Sequence, residues 1–268
     1  MTPPGIRFAD LGVRILSAAV LVLLAFLAFW KDIFFAVLLC GFATCVMLWE
    51  FRRIVLGSAS LREPALWVMM GAGAAAVVVT GVATLWWAVV PLAAGIAALA
   101  VVERPTWRWM APALFYIAFG LAVLVDLRRA PDTGVVAVLW LILVVVAVDV
   151  GGYFAGRTFG GPKLAPRISP SKTWAGVIGG LVLAALVGLA FSLGGWGASQ
   201  KAIILISLVV ALASQMGDLL ESALKRHFGV KDSSRLIPGH GGLLDRFDGL
   251  LGGLLMFACL DRLALVTT

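Results

Sequence analysis

Gly134-Val-Val-Ala-Val-Leu-Trp-Leu-Ile-Leu-Val-Val-Val-Ala-Val148 runs for fifteen residues without a charge, and Asp149 follows it directly. The rest of the chain repeats the pattern. Of its 268 residues, 62% are hydrophobic and 13% charged, with a mean hydropathy of +1.06. Soluble domains average roughly 45–50% apolar and about 25% charged residues. A soluble fold of this size cannot hide so much apolar surface, so lipid is the solvent for much of it.

Apolar runs bounded by charge or turn residues predict an all-α integral membrane protein, a polytopic bundle of about nine transmembrane helices. The spans are Ile15–Trp30, Ile33–Trp49, Ala65–Ala83, Leu85–Val102, Ala111–Val125, Gly134–Val148, Trp174–Leu193, Ala202–Leu220 and Gly249–Val266. Several fall short of the ~20 residues that span a bilayer core comfortably, so either their ends lie a few residues further on or their helices extend into the headgroup region. Arg7 and Arg14 precede an apolar run that leads straight into Trp30-Lys31-Asp32 and the next span, which reads as an uncleaved first helix.

With the N-terminus cytoplasmic, 16 basic residues fall on the inner side and 5 on the outer, accounting for all 21. The positive-inside rule therefore favours N-in and C-out. The net charge of +7 follows from this topology and an anionic ligand, and calls for no nucleic acid. Cys40, Cys45 and Cys259 lie in apolar runs without metal-ligand spacing and read as small buried hydrophobes.

The two halves differ. Residues 1–133 read as a transmembrane scaffold of about five helices with almost no polar residue at depth. Residues 134–268 read as the catalytic half, with cytoplasmic loops 149–173 and 217–248. Gly71, Gly73, Gly81, Gly95 and Gly120 read as points of close helix packing. A bundle this rich in glycine is also suited to pairing as a homodimer.

Asp218, Glu221, Ser222 and Lys225 fall at i, i+3, i+4 and i+7, on one helix face. An ion pair at a solvated helix end explains Glu221 and Lys225. It does not explain Asp218, since a carboxylate directly after an apolar span is costly unless paired or bound to a cation. Pro238-Gly239-His240-Gly241-Gly242 is a tight loop whose glycines let backbone N–H groups approach an anion. Asp245 and Asp248 open the last helix on one face, where helix capping accounts for one of them. Three carboxylates among Lys225, Arg226, Lys231, Arg235 and Arg246 suit one or two Mg²⁺ ions holding a nucleotide or pyrophosphate.

The run Ser222-x-Leu-Lys225-Arg226-x4-Lys231-Asp232-x-Ser234-x2-Ile237-Pro238-x-His240-Gly241-Gly242-Leu-x-Asp245-Arg246-Phe-Asp248 resembles the signature of the phosphatidate cytidylyltransferase (CDP-diacylglycerol synthase) family. It does so over 27 residues without a gap. Asp149-x3-Tyr153-x2-Gly156-x2-Phe159-Gly160 and Ser169-Pro170-x-Lys172-Thr173-x2-Gly176 resemble the family's other cytoplasmic loop. Where the family carries a Glu close before that last glycine, this chain has Trp174-Ala175, and no acidic role is assigned there.

The resemblance implies transfer of CMP from CTP to phosphatidic acid, giving CDP-diacylglycerol and pyrophosphate at the cytoplasmic face of a bacterial inner membrane. The lipid phosphate oxygen is the nucleophile, so no activated Ser, Cys or His is required. Asp218 and Asp245 are then the expected metal ligands, with Asp248 and Asp149 behind them. Lys225, Arg226, Arg246, Lys172 and His240 are expected phosphate or leaving-group contacts; topology alone is the competing reading for the cations, and loop architecture for His240. Ser222, Lys231, Gly241 and Gly242 are expected to line the nucleotide site. A CTP-dependent kinase of a polyprenol-type alcohol and a transporter of an anionic solute are the competing functions; no inverted repeat supports the latter.

Overall fold

The computed structural model describes residues 19–20, 23–196, 199–239 and 241–262. The expected first span therefore lies partly outside the described residues, as do His240 and the chain beyond Arg262. Helix α1 is described over residues 23–31. It is followed by α2 (Ile33–Leu56), α3 (Pro64–Val82), a 3-10 turn (Leu85–Ala88) leading into α4 (Val89–Val102), α5 (Trp107–Arg128) and α6 (Gly134–Thr158). A two-stranded antiparallel hairpin, β1 (Lys163–Ala165) and β2 (Ser169–Thr173), precedes α7 (Trp174–Leu193), α8 (Gln200–His227) and α9 (Leu244–Arg262). Among the described residues, seven helices are long and apolar enough to cross a membrane. The chain is an all-α polytopic membrane protein.

Local chemistry fixes the helix ends. Asp32 caps α2 by accepting from the Phe34 N–H (2.8 Å), and Thr173 caps α7 by accepting from Gly176 (3.1 Å). Ser199 caps α8 by accepting from Ala202 (3.2 Å). Each such cap is worth about 1 kcal/mol. Gly57 ends α2 at φ 74°, a left-handed conformation that costs glycine little.

Helix α5 is the axis of the bundle, more buried than any other described span. It packs against α2, α3 and α4 on one side and against α6 and α9 on the other. The second half is drawn together by glycine. A Cβ on Gly151 of α6 would lie 2.5 Å from the Gly179 carbonyl oxygen of α7, and one on Gly176 would lie 2.8 Å from the Gly152 carbonyl. Between α8 and α9, a Cβ on Gly217 would meet the Asp248 carbonyl at 2.5 Å. Only glycine lets backbones approach so closely. The contact at Gly217 places the next residue, Asp218, beside the opening turn of α9.

Three sequence expectations change. The segment read as loop 149–173 is helical over 149–158, because the apolar face of α6 continues past Asp149. Within 217–248, the helical stretches 217–227 and 244–248 are the helix end and helix start that the spacing of their charges predicts. Gly73, Gly81, Gly95 and Gly120 are close contacts, whereas Gly71 faces open space. Cys40 is buried, but Cys259 is exposed.

Candidate active site

The polar residues gather at one end of the bundle. Lys172 of β2 forms an ion pair with Asp218 of α8. The Arg226 guanidinium donates to the Ile168 carbonyl of the hairpin at 3.4 Å. The two polar segments expected to share one side of the membrane therefore touch. Between them lies a cavity of about 300 Å³. Asp149, Gly152 and Gly156 of α6, Lys172 and Thr173 of the hairpin, and Ser214 and Asp218 of α8 are in its wall. Ser222, one turn on, donates to Asp218 at 3.3 Å.

Asp245 organises the neighbouring loop. Its Oδ1 accepts from Lys225 Nζ at 2.6 Å, and its Oδ2 accepts from the Gly242 N–H at 2.9 Å and the Ser233 hydroxyl at 3.0 Å. The Ser233 N–H reaches both oxygens, at 3.1 and 3.0 Å. The bond back to Gly242 is the capping geometry allowed for one of the two aspartates. It occupies the Gly242 N–H that the sequence suggested for an anion. Lys225 is buried and also lies 3.2 Å from Glu221 Oε2.

Asp149, Asp218 and Asp248 lie close enough for their charges to act on one another, and Glu221 adjoins Asp248. Glu221 is 7% exposed, and its carboxylate sits between Asp248 and the Lys225 ammonium. The nearby Tyr116 hydroxyl lacks a hydrogen-bond partner among the described residues. Among the described residues, no three Asp, Glu, His or Cys side chains close on one point as a finished metal cage; Lys172 and Lys225 provide the positive charge instead. The donor set nevertheless fits a hard divalent cation, being carboxylate oxygen throughout.

The other expected residues fall outside the first cavity. Arg246 lines a second, polar cavity of about 550 Å³ with Asp232, Ser234, Arg235 and Gly241. Arg226 is exposed and also donates to the Val230 carbonyl at 3.2 Å. Lys231 is exposed.

A model of the cytidylyltransferase family matches residues 12–263. The chain belongs to the cytidylyltransferase family. Relatives of this family member include the phosphatidate cytidylyltransferase of Brucella suis biovar 1 (strain 1330). That protein is 46% identical over 166 residues, covering 60% of each chain. The phosphatidate cytidylyltransferase of Haemophilus influenzae is 37% identical over 196 residues, 66% of this chain and 65% of the relative. That of Bacillus subtilis (strain 168) is 40% identical over 144 residues, 52% of each chain. The chain thus spans between half and two thirds of the length of these curated relatives.

Two groups in the first half were not visible in the sequence. Glu50 of α2 is fully buried and bonds the loop that leads into α9. Arg52, two residues on, is buried between Glu63 and Glu103. The first half therefore carries buried charge just past its second expected span. Glu50 lies at the end of an apolar run, so the argument that singled out Asp218 applies to it equally. Its neighbours Trp49, Arg52 and Arg53 instead suggest an interfacial cluster.

Proposed function

We infer that the chain transfers the CMP group of CTP to phosphatidate, giving CDP-diacylglycerol and pyrophosphate in a Mg²⁺-dependent reaction of phospholipid synthesis. The observation that carries this reading is the cavity in which Lys172 meets Asp218, at the helix ends where a lipid headgroup and a soluble nucleotide can both arrive. The names carried by the relatives agree with it. We place this end of the bundle in the cytoplasm of a bacterial plasma membrane, since the basic residues gather there.

In the reaction, a phosphate oxygen of phosphatidate bonds to the α-phosphorus of CTP. The bond from that phosphorus to the bridging oxygen breaks, and pyrophosphate leaves with the bond electrons. Positioning and charge neutralisation carry most such transfers. Lys172, on the hairpin at the cavity wall, is placed to hold a phosphate. Arg246 and Arg235 flank the second polar cavity and suit the phosphates of the nucleotide. Asp218 and Asp248, with Asp149 beside them, are the residues to hold a divalent cation; Asp245 joins them if Lys225 releases it. The ion's contribution when bound is to offset the triphosphate charge. Lys225 keeps the buried carboxylates from repelling one another.

The test is pyrophosphate release by the purified chain in mixed micelles. Release is expected with CTP, Mg²⁺ and phosphatidate together and is absent when phosphatidate is left out. Release that ignores the lipid overturns the reading.

A further inference from the structure

We propose that Glu50 is a positioning residue, the far half of a two-carboxylate clamp that sets the loop before α9 and with it Asp245, Arg246 and Asp248. The proposal rests on the cytidylyltransfer reading for what the clamp serves, and on geometry alone for its existence.

Loop 233–243 leaves α8 and returns to α9 as two arms. On the outgoing arm, Ser233 donates to Asp245 and the next residue, Ser234, donates to Glu50 Oε1 at 2.6 Å. On the returning arm, the Gly242 N–H goes to Asp245, and the next two go to Glu50, Leu243 to Oε1 at 2.9 Å and Leu244 to Oε2 at 2.7 Å. Adjacent residues on both arms are thus held by opposite carboxylates. Asp245 belongs to the helix being positioned, whereas Glu50 sits about 190 residues earlier, on α2. Asp245 closes the loop on itself; Glu50 anchors it to the scaffold.

The fit leaves no slack. Glu50 has no exposed surface. A Cβ on Gly242 would stand 2.5 Å from Glu50 Oε1, so a side chain there would collide with the clamp. The Ser234 hydroxyl also accepts from the Leu236 N–H at 3.0 Å, which carries the restraint into the outgoing arm. A buried carboxylate with, among the described residues, three donors and no cation holds backbone amides at a helix start, where the dipole favours negative charge. Such outer supports fix the orientation of the residues that meet a ligand.

The test uses the full chain in micelles with Glu50→Gln and Ser234→Ala. Glutamine keeps the shape but presents an amide N–H₂ to a backbone N–H donor, so at least one of the three bonds is lost. Hydrogen exchange of peptides covering 230–244 is expected to speed up by about tenfold or more, the factor one hydrogen bond to a charged group carries. Exchange in α3 and α5 stays as in the wild type. For CMP transfer, kcat falls by a similar factor while KM for phosphatidate stays within about twofold. Ser234→Ala, which keeps every buried charge, shifts exchange in the same direction by less.

Unchanged loop exchange in both variants overturns the clamp. So does protection lost equally across α3 and α5, which would make Glu50 a general support of the bundle. Full kcat with a loosened loop overturns its positioning role. A wild-type chain that transfers no CMP refutes the function alone, since the exchange signature is read without substrate.

Discussion

Replacing Asp245 by Asn is the most demanding test of the site. The carboxylate receives Lys225, Gly242 and both donors of Ser233, all within 3.1 Å. Asparagine keeps one acceptor oxygen and turns the other into a donor. With its nitrogen at the Oδ1 position, Lys225 loses its closest partner beside Glu221 and faces another donor. With the nitrogen at Oδ2, Gly242 and the Ser233 hydroxyl lose theirs. Either choice removes a charge-assisted hydrogen bond, worth about 1.5–3 kcal/mol, or strands a buried donor at about 1–3 kcal/mol. The loss of the negative charge beside Lys225 adds to both. A total of about 3 kcal/mol or more is expected, equivalent to about a hundredfold or more in turnover if it falls on the transition state. The assay is kcat/KM for CTP in micelles, with hydrogen exchange of 230–244 measured alongside. The loss accompanies faster loop exchange and is not recovered by added Mg²⁺. Turnover within a few-fold of wild type, with the loop intact, would refute the role given to Asp245.

Asp218→Asn leaves Lys172 without its carboxylate and removes an oxygen ligand; turnover collapses at ordinary Mg²⁺, with the remaining activity requiring more of the ion, as a Mg²⁺ titration will show. Gly179→Ala sets a Cβ against Ala155 and 2.7 Å from the Gly151 carbonyl. It should cost about 1–3 kcal/mol in unfolding, the usual penalty of overpacking. Glu63 lies outside the spans, and its hydrogen bond to Arg52 holds its carboxyl below the ordinary value of 4.5. That depression stabilises the folded chain above the ordinary value, and the contribution is lost as pH falls through the lowered one. Glu63→Gln therefore destabilises at neutral pH, and thermal melts of mutant and wild type converge in acid.

The spans were legible because lipid rewards uninterrupted apolar runs; Trp174–Leu193 begins and ends where the sequence places it. The end of α6 was not, since Asp149 looks like a boundary although the helix continues to Thr158, whereas the end of α8 follows from the helical spacing of Asp218 to Lys225. Within the site, the shared face of Asp218, Ser222 and Lys225 follows from helical spacing. The Lys225–Asp245 pair spans 20 residues across a turn and was visible only as proximity of charge. Glu50 carried the same signal as Asp218, a carboxylate at the end of an apolar run, but its role was out of reach. Its partners lie 184 to 194 residues away, and no local pattern records such a contact.

The central claim is cytidylyl transfer at this site, and doubly labelled CTP tests it most directly. With the cytosine ring and the terminal phosphate carrying different labels, purified protein, phosphatidate and Mg²⁺ should move the cytosine label into lipid and leave the terminal-phosphate label in pyrophosphate. Terminal-phosphate label in the lipid, with cytosine left in solution, would mean a kinase and would contradict the account.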